Sequence, residues 1–203
     1  MASYKLIYFN ARGRAEPARL IFAYAGVEFE DVRLDGPEWA AFKAKTPFGQ
    51  MPILEVDGQM IAQSKAISRF LGNEFKLMPS SQFEQAKLDM LVDGLDDVFN
   101  QFRPFYMEKD PEKKKELWSA LERDHIGPFL HRYEKLLIES GSQYFISNNL
   151  TWGDLVIFDR LHTLRDRVPE LFDTHDILCE FINRVAELPA IRNWLEQRPK
   201  TEM

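Results

Sequence analysis

The sequence predicts a small α/β unit followed by an all-helical domain. Three observations carry this. Tyr4 to Gly26 joins period-two alternation, a turn and an amphipathic helical stripe. Met51 to Ala62 reads as strand, Asp-Gly hairpin turn, strand. Beyond Phe83 the apolar residues fall at helical spacing almost throughout. At 203 residues and 45% hydrophobic composition, the chain suffices for one large or two small globular domains.

Tyr4, Leu6 and Tyr8 alternate with Lys5, Ile7 and Phe9, which predicts a strand, and Asn10 to Gly13 reads as a turn. Ala18, Ile21, Phe22 and Ala25 then share one helical stripe. Pro17 suits the first turn of that helix and Gly26 the position just past its last. Tyr8 thus ends a strand, with its hydroxyl aimed across a loop at a helix N-terminus, where free N–H groups and the helix dipole favour an anion. On this segment alone, a strand tyrosine that only packs is the simpler reading. Phe29 to Leu34 is a second strand, Gly36-Pro37 breaks it, and Pro37 to Lys45 forms a short helix carrying Trp39, Phe42 and Lys43. Thr46 to Gln50 is a loop. Gln63-Ser64 precedes a helix with Ile67, Phe70 and Leu71 on one face, with Ser64 as its N-cap. The α/β unit is placed at residues 1–76.

Residues 77–82, a Pro/Ser stretch, read as a linker, and 83–203 as the helical domain. Phe83 to Arg103 reads as one helix with Leu88, Leu91, Leu95, Val98 and Phe102 on one face and Asp89, Asp93, Asp96 and Asp97 opposite. Asp110-Pro111 is a cap followed by proline at the first helical position. The long helix carrying Leu117, Leu121, Leu130, Tyr133 and Leu137 should kink at Gly127-Pro128, because proline removes a backbone donor and clashes with the preceding turn. Thr151 and Asp154 form an Asp variant of the capping box, with Leu150 and Leu155 as its hydrophobic staple. Helices over about Thr174 to Glu187 and Ala190 to Glu196 close the chain.

Composition removes several function classes. A net charge of −6 without a basic block argues against nucleic acid. A lone Cys179 excludes an intrachain disulfide framework and a multi-cysteine metal site. His125, His131, His162 and His175 show no ligand spacing. No signal-peptide core and no apolar run of bilayer length are present, so the expectation is a cytoplasmic chain without a membrane partner.

The segments YFNARGRAEPARL, TPFGQMPILEVDG, QSKAISRFL and LTWGDLVIFD, in this order and spacing, resemble the cytosolic glutathione transferases along essentially the whole chain. The resemblance implies a thioredoxin-like N-terminal domain, a cis bond at Met51-Pro52, and glutathione as co-substrate. PFGQMPILEVDG with QSKAISRFLG looks most like the sigma class, which includes haematopoietic-type prostaglandin D synthases and many invertebrate and helminth enzymes. Omega-class and glutaredoxin chemistry needs a cysteine near the first helix, and none is there.

That family's chemistry asks for defined residue types. A free thiol with a pKa near ~8.5 is only a few per cent thiolate at neutral pH, and the thiolate is the nucleophile. By resemblance Tyr8 is the catalytic hydrogen-bond donor to the thiolate and Arg14 the neighbouring cation that favours it. Gln63 and Ser64 match the contacts of the γ-glutamyl carboxylate, Trp39 and Lys43 those of the glycyl end, and Gln50, Met51 and Pro52 those of the cysteinyl-glycyl strand. Asp97 matches the acidic residue that reaches the γ-glutamyl ammonium from the other subunit of a homodimer, into which Phe48 inserts. Asp93 and Asp96 match the pattern by which vertebrate prostaglandin D synthases hold a divalent cation at the dimer axis; as residues alone they read as a solvated acidic face. Phe9, Phe102, Phe105 and Tyr106 are assigned to the pocket for small hydrophobic electrophiles.

The resulting expectation is a glutathione transferase. Two alternatives stay open: a glutathione-dependent prostaglandin H to D isomerase, and a non-catalytic crystallin-like structural or ligand-binding protein. The vertebrate synthases carry a tryptophan near the position of Pro104, and Arg103-Pro104-Phe105 departs from that pattern. Crystallin-type relatives lose glutathione contacts that Tyr8, Arg14, Gln63 and Ser64 retain here.

Overall fold

A computed structural model describes residues 2–201. The chain divides into two compact units. One takes the described residues of Met1–Met78 and Val185–Met203, the other Pro79–Arg184. The expected boundary near residue 76 sits close to this division, but the end of the chain does not follow the expected 83–203 domain. Its last helix clusters with the α/β unit, for reasons given by Trp194 and Arg198 below.

In the first unit, β1 (Tyr4–Phe9), β2 (Glu30–Leu34), β3 (Ile53–Val56) and β4 (Gln59–Ala62) form a sheet in the order β2-β1-β3-β4. β1 runs parallel to β2, with Tyr8 opposite Arg33, and antiparallel to β3, with Leu6 opposite Leu54. Leu6 and Ile7, which point to opposite faces, are both buried, so this central strand is covered on both sides. Asp57 and Gly58 turn β3 into β4 with φ of 48° and 82°, the left-handed pair of a tight hairpin. α1 (Glu16–Ala25) has Pro17 in its first turn and Gly26 as a left-handed C-cap, as the sequence predicts. It packs against α3 (Ser64–Glu74), and Ile21, Phe22, Ile67 and Leu71 bury completely. Each such side chain contributes about 1.5–3 kcal/mol of hydrophobic stabilisation. α2 (Gly36–Phe42) starts on a capping box of Asp35 and Glu38 and ends in a 3₁₀ turn over Lys43–Lys45.

The second unit holds α4 (Gln82–Phe99), α5 (Phe102–Met107), α6 (Pro111–Leu121), α7 (Gly127–Ser140), α8 (Trp152–Arg167) and most of α9 (Asp176–Ala186). The single helix expected over Phe83 to Arg103 is broken at Asn100-Gln101. Pro104 has no N–H for the Asn100 carbonyl, which accepts from Arg103 instead, so the α-helical ladder stops there. The kink expected at Gly127-Pro128 occurs one turn earlier, as a π-helical stretch over Glu122–Ile126 in which the Gly127 N–H reaches the Glu122 carbonyl. Widening the turn ahead of Pro128 relieves its ring from the carbonyl four residues back. α8 begins with the expected capping box: Thr151 N–H and hydroxyl both donate to Asp154 Oδ2, and Phe145 N–H donates to Asp154 Oδ1. Gly153 lets α8 approach α4 closely, because a Cβ there would lie 2.7 Å from Leu88 Cγ. Among the described residues, no helix is long and apolar enough to cross a membrane.

α10 (Pro189–Gln197) belongs to the first unit and packs against α1.

Candidate active site

The site is built where β1 hands the chain to α1. Tyr8 stands near the end of β1, and residues 10–12 lead into a 3₁₀ turn over Gly13–Ala15. The Arg14 N–H donates to the Tyr8 hydroxyl oxygen at 3.2 Å. A tyrosine hydroxyl holds one hydrogen and two lone pairs. With one lone pair engaged by the main chain, the hydrogen remains available to a ligand atom in front of it. Gly13 makes this geometry possible. Its φ is +44°, and a Cβ there would stand 2.7 Å from Tyr8 Oη and 2.9 Å from Cε1. In sequence Gly13 reads only as part of a turn; its close approach to the Tyr8 ring has no signal there beyond the glycine itself.

A solvent-open cleft of about 260 Å³ lies alongside, lined by Arg14, Gln50, Met51, Pro52, Ala62, Gln63 and Ser64. Six of these are residues the sequence nominates, and Ala62, at the end of β4, is the addition. Tyr8 does not line the cleft itself and joins it through Arg14. The Met51-Pro52 peptide is cis, as expected. Ser64 corrects the sequence reading: it is the first residue of α3 and not its cap. The cap position is Gln63, with φ 73° and ψ 114° and no side-chain cap bond. A non-glycine residue with positive φ costs of order 1–3 kcal/mol and is kept where the surroundings over-determine it. Here it brings Gln63 and Ser64 to the same wall, beside first-turn N–H groups that have no intrahelical partner.

Trp39 and Lys43 lie outside that lining but within the same unit. Trp39 packs edge-on against Phe9, with ring centroids 6.0 Å apart. Lys43 donates its N–H to the Trp39 carbonyl, and its aliphatic stem runs beside Gly49, next to Gln50. The loop between them is tied down by Thr46, whose hydroxyl donates to the Lys43 carbonyl at 2.9 Å.

The helical unit carries the remaining nominated residues. Phe102 departs from expectation. At 6% exposure it is a core residue, stacked on Phe99 at 5.5 Å and edge-on to Trp118, and offers little surface to a ligand. Phe105 is half-buried against Trp118, with Lys114 Nζ 4.9 Å from its ring centroid. Tyr106 is exposed, and its hydroxyl accepts from Arg167 at 3.2 Å. Trp118 was not nominated, although it supplies the largest ring of this group. Asp93 and Asp97 are exposed on α4 and Asp96 is half-buried. Among the described residues, no group of three or more His, Cys, Asp or Glu is placed to hold a metal ion.

A four-stranded α/β unit with a cis-proline cleft and a hydroxyl at its edge, followed by a helical unit, is the arrangement that the sequence resemblance implies. Residues 4–73 match the family description "Glutathione S-transferase, N-terminal domain" and residues 96–198 match "Glutathione S-transferase, C-terminal domain". Glutathione S-transferase 1 of Ascaris suum is 44% identical over 99% of both chains. Hematopoietic prostaglandin D synthase of Homo sapiens is 36% identical over the full length of both. Among solved structures, the glutathione S-transferase from Ascaris lumbricoides superposes with a TM-score of 0.88 at 44% identity, covering 98% of each chain. The chain belongs to the glutathione S-transferase family.

Proposed function

We propose that this chain is a sigma-class glutathione transferase that adds the glutathione thiolate to small hydrophobic electrophiles. The observation that carries the reading is the Arg14 N–H bond to Tyr8, which leaves the hydroxyl hydrogen to donate to sulfur at the edge of the cis-proline cleft. A charge-assisted hydrogen bond to the thiolate contributes roughly 1.5–3 kcal/mol. That corresponds to a thiol pKa lower by about one to two units, enough to ionise much of the bound glutathione at neutral pH. Arg14 adds positive charge on the same wall. In this arrangement Gln63 and Ser64 receive the γ-glutamyl carboxylate at the start of α3. Gln50 and the main chain at Met51-Pro52 align the cysteinyl-glycyl strand, with Trp39 and Lys43 at the glycyl end. The residues proposed to meet the electrophile are Phe9 on the α/β unit and Phe105 and Tyr106 on the helical unit, where Phe102 packs behind Tyr106.

The proposed assembly is a homodimer in the cytoplasm, in which Asp97 of one copy meets the γ-glutamyl ammonium bound to the other and the 65% exposed Phe48 is buried. A divalent cation at the dimer axis would have to draw carboxylates such as Asp93 and Asp96 from both copies. Full-length identity of 36% to a hematopoietic prostaglandin D synthase supports a second reading, a glutathione-dependent prostaglandin H to D isomerase using the same thiolate.

The test is an ultraviolet titration of bound glutathione in wild type and Tyr8→Phe. The expected result is a thiol titrating about one to two units below its free value in wild type and returning towards it in the variant. Glutathione that binds with an unperturbed thiol would remove the enzyme reading and favour a structural or ligand-binding protein. Turnover of an activated aryl halide against that of a prostaglandin endoperoxide then separates the two enzyme readings.

A further inference from the structure

We infer that Trp194 and Arg198, near the end of the chain, are positioning residues for the Tyr8 hydroxyl, acting through the buried carboxylate of Glu16. The inference rests on the reading of Tyr8 as the thiolate's hydrogen-bond donor.

The loop between β1 and α1 is wrapped around one guanidinium. Arg19, fully buried, donates from Nη1 to the Ala11 carbonyl at 2.8 Å and the Arg12 carbonyl at 3.4 Å. Its Nε donates to Asp31 Oδ1 at 3.0 Å. Asp31 in turn receives Arg33 Nε, and Arg33 Nη1 reaches the Asn10 side-chain oxygen at 3.1 Å. The loop thus takes its shape from arginines that grip its main chain and its first side chain. Two residues past Arg12 comes the Arg14 N–H that meets Tyr8.

A buried guanidinium persists only where its charge is balanced. Asp31 balances Arg19 on one side and Glu16, 1% exposed, on the other, with Glu16 Oε2 at 3.2 Å from Nη1. The second oxygen of Glu16 is held from the far end of the chain: Trp194 Nε1 donates to Oε1 at 2.8 Å and Arg198 Nη1 at 2.9 Å. This contact explains why the last helix clusters with the α/β unit.

The arithmetic of donors makes the coupling directional. Arg19 Nη1 carries two hydrogens and faces three acceptors: Ala11 O, Arg12 O and Glu16 Oε2. When Trp194 and Arg198 satisfy Oε1, Nη1 is free to hold the loop carbonyls. Without them, the buried carboxylate pulls harder on the Arg19 guanidinium, whose buried Nη2 has no hydrogen-bond partner among the described residues, and turning that nitrogen towards Glu16 draws Nη1 off the loop carbonyls. The Arg14–Tyr8 bond, at 3.2 Å, already lies at the long end of the N–H···O range, so a small loop movement breaks it. The tail therefore tunes thiol ionisation without touching the ligand.

The experiment compares full-length Trp194→Phe, Arg198→Met, their double variant and Arg198→Lys with wild type and Tyr8→Phe. Trp194→Phe removes the donor but keeps a ring beside Phe29, so it retains packing even where the double variant loses stability. The readouts are the pH titration of bound glutathione, kcat and KM for glutathione with an activated aryl halide, and Tm. The expected result for the double variant is a bound-thiol pKa higher by about one unit, with kcat below that pH falling about tenfold. KM for glutathione should change less than kcat, the single variants should lie between, and Arg198→Lys should recover most of the effect. A lowered Tm with titration curves superimposed on wild type overturns the inference, leaving the contacts as a structural anchor. If Tyr8→Phe itself does not move the thiol pKa, the reading of Tyr8 fails and this inference with it. Failure of the tail variants alone leaves the Tyr8 reading standing.

Discussion

Gly13→Ala should separate the stability of this fold from its chemistry. The added Cβ would sit 2.7 Å from Tyr8 Oη and 2.9 Å from Cε1, closer than real Cβ contacts come, and 3.2 Å from Cζ, tighter than most. The backbone also holds φ at +44°, where an L-residue pays of order 1–2 kcal/mol. The atoms in the way belong to the far end of one side chain and not to the backbone. The cheapest relief is therefore to swing the Tyr8 ring aside, and half-buried Tyr8 has room at its open edge. The stability cost is then roughly the 1–2 kcal/mol of backbone strain, a shift of about 2–8 °C in Tm for a chain of this size. The cost to thiol ionisation is the whole hydrogen bond, roughly 1.5–3 kcal/mol, or about one to two pKa units of bound glutathione. The assay is the thiolate titration in Gly13→Ala, Tyr8→Phe and the double variant. Once the ring has moved, removing its hydroxyl should change nothing further, so the double variant should match the worse of the singles. A Gly13→Ala protein that folds, binds glutathione and ionises it like wild type would refute the reasoning, because Tyr8 would not depend on the space Gly13 leaves.

Two further predictions concern the helical unit. Gly153→Ala forces a Cβ into Leu88 and Val92 where α8 crosses α4, and should lower stability by about 1–3 kcal/mol by denaturant unfolding while glutathione titration is unchanged. Burial pushes the Asp154 carboxyl up from its ordinary 3.8 to about 6, so the folded protein holds that proton more tightly than the unfolded chain. The stability Asp154 confers over Asp154→Asn is therefore fully present below about pH 4 and lost as pH rises through about 6, by at most about 3 kcal/mol. Denaturant unfolding of the pair across pH 4 to 7 reads the gap. One that widens with pH would mean that the Thr151 and Phe145 donors hold the carboxylate charged.

What the sequence reveals and what it hides divide along a physical line. Periodicity, caps and turn residues act over a few residues, so β1, the Asp57-Gly58 hairpin, the Thr151–Asp154 capping box and the Pro17 and Gly26 ends of α1 could be read from neighbours alone. The cleft residues were legible only as a pattern resembling a family, since nothing local brings Arg14, Gln50 and Gln63 together. Two positions were misread because a neighbour's backbone decides them. Ser64 looks like a cap, but Gln63 takes the cap position with a positive φ that its residue type does not announce. Phe102 continues an apolar stripe that Pro104 interrupts, and it ends in the aromatic core.

Arg19 and Glu16 show why the clustering of the last helix with the α/β unit is not legible in the sequence. In sequence they are two charges beside Pro17 and Ala18 near the start of an amphipathic helix, where charge ordinarily marks a solvated face. Their burial makes sense only with Asp31 and Arg198 supplying opposite charge from 12 residues beyond Arg19 and 182 beyond Glu16. No window of helical periodicity spans that distance. The same separation gives the network its consequence: a buried carboxylate with donors from both ends of the chain makes the geometry of the first loop depend on the last helix. A truncation or substitution far from the cleft should then alter thiol ionisation before it alters glutathione affinity, because the cleft walls at Gln50 to Pro52 and Gln63-Ser64 take no part in that network.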